Sequence, residues 1–156
     1  GVPQSRERMI FVGVREDIGR EPSHPSGWSE PVWLRDAIKG LPAAEPEADI
    51  SRFAIGAEWR RLAPGRKSDK YLSLVRPRLD AVCPTLTKGA GATASLASVT
   101  HPTECRKFSS YESASIASFP REFRFTSWGE SLMRIGNSVP PLLMRSIARH
   151  VRTLIA

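Results

Sequence analysis

Apolar and polar residues alternate along this chain in a few readable patterns. Met9-Ile10-Phe11-Val12-Gly13-Val14 is an apolar run of strand length. It follows Val2-Pro3, an extended or turn dipeptide, so residues 1–15 read as a turn and then a strand. Gly19, Pro22, Pro25 and Gly27 mark a surface loop over residues 16–30. Pro31 to Leu41 reads as a short helix, with Ser29 as N-cap, Pro31 in the first turn, and Gly40 and Pro42 as the stop. Pro42 to Asp49 forms an acidic connector. From Ile50 to Val99 short apolar stretches such as Tyr71-Leu72-Ser73-Leu74-Val75 alternate with Gly, Pro and basic clusters, the pattern of small strands and long loops. Within it, Lys88 to Ser98 is a loop of small residues. Ser109-Ser110-Tyr111-Glu112 is a capping box that opens a helix running to near Phe119-Pro120. After Pro140-Pro141, Leu143, Met144, Ile147, Ala148, Val151, Leu154 and Ile155 recur at helical spacing, with Arg145, Arg149 and Arg152 opposite. The apolar face of that closing helix requires a partner surface.

Composition narrows the class. The chain has 156 residues, 40% hydrophobic and 25% charged, as in an ordinary globular protein. No apolar run approaches the roughly 18 residues of a membrane span, and no charged-then-apolar leader opens the sequence. Cys83 and Cys105 make neither a disulfide framework nor a CxxC metal site, and His101 with Cys105 would leave a zinc ion half-coordinated. The net charge of +7 suits a phosphate backbone, and a merely basic surface accounts for it equally well. A cytoplasmic protein with a polyanionic partner, no metal and no membrane role is expected. Gly89 to Ala94 formally fits G-x-G-x-x-A, but Pro84 and the lack of a strand–turn–helix context argue against a dinucleotide site.

Three segments then carry a family resemblance: GVPQSRERMIFVG, TECRKFSSYESASIASFPREFRF and RIGNSVPPLLMRSIARHV, in that order. Together they resemble the C-terminal half of a DNA cytosine-5 methyltransferase, with residues from about 23 to 100 falling where that family's target-recognition region varies. The resemblance implies an α/β fold, the C-terminal portion of an S-adenosylmethionine-dependent methyltransferase. Residues 1–22 would supply a strand of the catalytic lobe and 23–133 a small, irregular, mixed α+β recognition lobe. Residues 134–156 would supply the cofactor-side turn and closing helix.

Gln4-x-Arg6-x-Arg8 resembles the family segment that faces the flipped base. On an extended chain the two arginines point the same way. The resemblance implies that Arg8 donates to O2 of an extruded cytosine, with Arg6 and Gln4 supporting the site or a nearby phosphate. The second segment implies a structural unit in which Arg106 is the anchor, Glu112 the cap, and Ile116 and Phe119 the core plugs, with Arg106 also a candidate DNA contact. Gly136-Asn137-Ser138 resembles the cofactor-side turn before the final helix. There a glycine permits close approach and a helix N-terminus suits the carboxylate of S-adenosylmethionine; Asn137 as a simple helix cap stays open beside this. Pro84-Thr85-Leu86-Thr87-Lys88-Gly89 resembles a loop that touches DNA, which makes Thr85, Thr87 and Lys88, with Arg76 and Arg78, candidates for base edges or for phosphates alone.

In the family a cysteine thiolate adds to C6 of a flipped cytosine, a glutamate assists at N3, and the methyl group passes to C5. The Pro-Cys and Glu-Asn-Val motifs do not occur in these residues, because Cys83 precedes Pro84 and Cys105 lies in the supporting segment; both cysteines read as small structural residues. The chain alone is therefore expected not to transfer methyl groups. Its expected contribution is cytosine clamping, reading of double-stranded DNA and part of the S-adenosylmethionine pocket. The N-terminal catalytic half, from the same gene or a separate subunit, or self-association, would cover its last helix. A stand-alone DNA-binding module or an inactive remnant is the alternative. An unrelated RNA-binding domain would need aromatic stacking platforms, and the aromatics, 8% of residues, are scattered.

Overall fold

Short backbone ladders, not long strands, hold the middle of this chain. The computed structural model describes residues 1–27, 29–88 and 94–155 and is mixed α/β. Strand β1 (Gln4–Ser5) pairs in parallel with β4 (Cys83–Pro84), and β2 (Arg66–Lys67) pairs antiparallel with β3 (Val75–Arg76). Isolated bridges join Asp49 to Arg106, Val75 to Val99 and Thr100 to Lys107. The helices are α1 (Leu34–Ile38), α2 (Ala54–Arg61), α3 (Ser110–Ile116), α4 (Trp128–Asn137) and α5 (Pro141–Ile155).

The expected strand over Met9–Val14 does not form. Burial alternates residue by residue along the run, but Met9 and Phe11 stand 83% and 86% exposed. No strand pairs with it among the described residues, and an apolar run becomes a strand only where a ladder partner accepts it. Pairing has moved upstream to Gln4–Ser5. Helix α1 is shorter than the expected Pro31–Leu41. Its first amides are taken by backbone carbonyls, Leu34 N–H by Ala81 (2.8 Å) and Arg35 N–H by Leu79 (3.0 Å), so the neighbouring loop sets the start. Ser29 is not its cap; its hydroxyl accepts from the Gly1 amine.

The capping box holds. Ser109 Oγ accepts from Glu112 N–H at 3.0 Å, and Glu112 accepts from Ser109 N–H at 2.8 Å. Helix α3 stops at Ile116, before the expected Phe119-Pro120, and Ser118 follows in the left-handed region at φ 62°. Helix α2 lies in the stretch that reads as irregular, and α4 in one for which the sequence pattern predicts no element. The boundary expected at 133/134 passes through α4, which packs on α3.

Two apolar clusters form the interior. One gathers Leu34, Cys83, Leu86, Phe108, Ile116 and Ile135; the other gathers Ile50, Ile55, Trp59, Leu74 and Trp128. Trp128 joins them, because its indole N–H donates to Phe108 O at 3.0 Å. Arg106 grips both oxygens of Glu112 (2.7 and 2.9 Å) and reaches Glu104 as well. Its guanidinium is committed to the scaffold, which corrects the expectation that it also contacts DNA. His101, buried and edge-on to Phe108, accepts at Nδ1 from Glu104 N–H (3.1 Å).

Lys107 is 2% exposed, with its ammonium 5.8 Å from the Trp128 ring centre. Burial pushes its pKa down to about 8 from an ordinary 10.5. Between those values the unfolded chain holds the proton that the folded chain has released, so stability rises with pH across that window. The change is worth about 3 kcal/mol between pH 8 and pH 10.5. Between pH 8 and pH 10.5 the urea-unfolding stability of the parent chain relative to Lys107→Met is expected to rise by that amount, a difference in which the opposing effect of the buried Cys83 thiol cancels.

Candidate functional site

The pairing of β1 with β4 brings the first motif against the Pro84–Lys88 segment. Cys83 N–H donates to Pro3 O (3.1 Å), and the Thr85 hydroxyl donates to Ser5 O. Arg6, next in line, is half-buried. Its two terminal nitrogens divide between carbonyls distant in sequence, NH1 to Leu86 O (2.7 Å) and NH2 to Gly136 O (2.6 Å). One guanidinium thus ties the opening strand, the segment after β4 and the end of α4. Burial, and secondarily the charge of Arg8, hold the Arg6 pKa below its ordinary value. The flat guanidinium fork holds two acceptors in one fixed plane, a geometry the compact, rotatable ammonium does not impose.

Gly136 makes this junction possible. A Cβ built on it would lie 2.3 Å from Lys88 N and 2.5 Å from Lys88 Cα, so α4 rests directly on the backbone of Thr87–Lys88. The expected tight turn is absent: Gly136 and Asn137 are the last residues of α4, and the glycine serves close approach alone. Asn137 ends the helix exposed, and Ser138 Oγ donates back to Ile135 O at 2.9 Å.

Around this anchor lie the exposed candidates. Arg8 is exposed and donates to Glu7 O at 2.7 Å, while Thr87 and Lys88 are exposed beside Gly136. Gln4 is buried, and neither polar atom of its amide has a hydrogen-bond partner among the described residues; Arg6 Nε lacks one too. Each such group costs about 1–3 kcal/mol unless another group satisfies it. The Gly89–Ala94 pattern lies outside the described residues except for Ala94.

Two other candidates belong elsewhere. Arg76 is spent on the scaffold: it donates to Pro102 O and Leu62 O, both at 2.9 Å, and stacks 4.0 Å from the Trp59 ring centre. Arg78 is exposed and pairs bidentately with Asp80, whose carboxylate that pairing holds below its ordinary pKa. Neither joins the Arg6 junction. Cys83 is fully buried, and burial pushes its thiol far above the ordinary range. Cys105 Sγ donates to Gly56 O. Burial raises both thiols, the opposite of the shift that activates a cysteine nucleophile.

The whole length of this arrangement has known counterparts. A model of the C-5 cytosine-specific DNA methylase family matches residues 1–153. The chain belongs to that family. Similar proteins include the Type II methyltransferase M.MthTI of Methanothermobacter thermautotrophicus, 28% identical over 97% of this chain and 52% of its own. M.AplI of Arthrospira platensis is 32% identical over 97% of this chain and 44% of its own. The chain therefore spans about half the length of the curated relatives it matches. A crystal structure described as a DNA modification methyltransferase encoded within a prophage (E. coli) superposes with a TM-score of 0.72. It covers 99% of this chain and 57% of its own at 20% identity, a likeness of fold.

The family uses S-adenosylmethionine, and the end of α4 fits that group only in part. Asn137 presents an exposed amide. The helix N-terminus expected to receive a carboxylate does not present a free pair of donors: Pro141 has no N–H, and Leu142 N–H is taken by Ser118 Oγ at 3.2 Å. The α-carbon face of Gly136 is covered by Lys88. Gly136→Ala is expected to force Thr87–Lys88 off α4 at a cost of about 1–3 kcal/mol, the range for overpacking. Thermal unfolding measures the cost, and amide exchange at residues 86–88 checks where it falls.

Proposed function

We propose that this chain is the target-recognition and cytosine-clamping part of a DNA (cytosine-5-)-methyltransferase. It acts on double-stranded DNA with S-adenosylmethionine as methyl source, and the N-terminal catalytic half of the enzyme completes it. The observation that carries this reading is the Arg6 bridge from β1 to Leu86 O and Gly136 O. Three groups radiate from that anchor: Arg8 two residues along the chain, the exposed Thr87–Lys88 pair, and the exposed Asn137.

Their chemistry suits three tasks. The Arg8 guanidinium donates to O2 of an extruded cytosine, orienting the base and drawing electron density from the ring. Lys88 meets a phosphate as a point charge and Thr87 adds a hydroxyl donor, fixing the loop on the duplex. Asn137 offers a hydrogen bond toward the cofactor, which when bound supplies the methyl group. The nucleophile comes from the other half, since both cysteines here are committed to packing. That half also covers the open apolar strip at Met9 and Phe11 and the face of α5, of which only Ile147 is buried.

Incubated with duplex DNA and radiolabelled S-adenosylmethionine, these 156 residues alone are expected to incorporate no label while still retarding the duplex in a gel shift. Arg8→Ala should weaken that binding by about 1–3 kcal/mol, and Lys88→Ala should lower the salt slope by about 1. Label incorporation by this chain alone, or no binding at low salt, sinks the assignment.

A further inference from the structure

We propose that the β2–β3 hairpin and the end of α2 form a second DNA contact, a phosphate clamp separate from the Arg6 junction; it rests on the reading of the chain as a DNA-recognition part. Residues 60–78 hold seven cations and a single carboxylate, Asp69, and so carry nearly all of the net charge of +7. Arg60, Arg61, Arg66, Lys67 and Lys70 are all exposed, and none forms an ion pair among the described residues. Some surface cations are neutralised locally, Arg15 by Asp17 and Arg134 by Glu130, and at the edge of this stretch Arg78 by Asp80. The five lie within eleven residues, with Asp69 between them and Asp49 acting on Arg60 as the nearby negative charges.

The hairpin beneath them is braced. Buried Ser68 donates to Glu58 Oε1 (2.8 Å) and accepts from Lys70 N–H (3.1 Å) and Tyr71 N–H (3.0 Å). That takes up the one acidic side chain of α2. Arg76 closes the bracket by joining β3 to the end of α2 at Leu62 O and to Pro102 O while lying on Trp59. A stiff platform that holds repelling cations to solvent is matched by a partner with regularly spaced negative charge, and duplex DNA carries one such charge per roughly 1.7 Å of axis. The clamp therefore adds sequence-independent affinity, and base reading stays with the residues around Lys88.

The test is fluorescence anisotropy of a 24-base-pair random-sequence duplex over a salt series, with three forms of the 156-residue chain. These are the parent, the triple variant Arg61→Gln, Arg66→Gln, Lys67→Gln, and a charge-matched triple on α5, Arg145→Gln, Arg149→Gln, Arg152→Gln. The hairpin triple is expected to reduce the slope of log affinity against log salt by about 2–3, at roughly 0.9 per phosphate contact. It should leave thermal unfolding unchanged, and the α5 triple should keep the parent slope. Equal loss in both triples would show that net charge, not this surface, is responsible, and overturns the inference. A parent that binds and a hairpin triple with an unaltered slope overturn the clamp while leaving the Arg6 reading intact; a parent that does not bind overturns both. Loss of binding to phosphatidylserine vesicles with duplex binding retained assigns the surface to lipid and also refutes it.

Discussion

A single guanidinium placed between two backbone carbonyls organises this chain. Arg6 reaches across 80 residues to Leu86 and across 130 to Gly136. The second acceptor is one of the carbonyls that a helix leaves unbonded at its C-terminus, where the macrodipole also favours a cation. The bond is therefore placed where the fold has a backbone group to satisfy. Its cost is the partial desolvation of a charge held beside Arg8. The return is register: with Arg6 seated, Gly136 contacts Thr87–Lys88 so closely that even a methyl group has no space.

Arginine serves the interior as much as the surface. Arg6, Arg76 and Arg106 each occur in a motif or basic cluster that points to a ligand, and each spends its donors on carbonyls or buried carboxylates. A chain with short strands and long loops has many carbonyls without ladder partners, and a planar fork of five donors satisfies them in pairs. Arg8, Lys88 and the hairpin cations are instead exposed and without an ion pair among the described residues.

What was legible in the sequence followed from how local the cause was. The capping box of α3 and the amphipathic period of α5 are written within a few residues, and both elements stand where they were read. Helix α4 also carries a local signal: Ser127-Trp128-Gly129-Glu130 is another S-x-x-E, and Ser127 Oγ accepts from Glu130 N–H. Helix α2 has no such cap, its N-cap being Phe53 without a side-chain bond, so nothing local announces it. The start of α1 depends on carbonyls at 79 and 81, and the role of Gly136 on a backbone nearly fifty residues earlier. Spacing along a chain does not encode contacts of that range. It likewise does not say whether an arginine in a motif turns outward or is absorbed by the scaffold.

The distribution of burial divides the chain into a body and two arms. Helices α1 to α4 and the ladders between them share two clusters linked through Trp128, and their polar groups are largely paired internally. The arms are Met9–Val14 and α5, the latter tied to the loop after the first arm by a hydrogen bond between Ser23 Oγ and His150 Nε2 (2.9 Å). Each is patterned for a core that the described residues do not provide: Met9, Phe11, Met144 and Ile155 remain exposed, and the amide of Gln4, at the root of the first arm, is buried without a partner. A helix of fifteen residues is marginal in water without an apolar face to dock. The same sequence therefore encodes a body whose polar groups are largely satisfied within it and two edges whose apolar residues, like the buried amide beside them, lack such cover among the described residues.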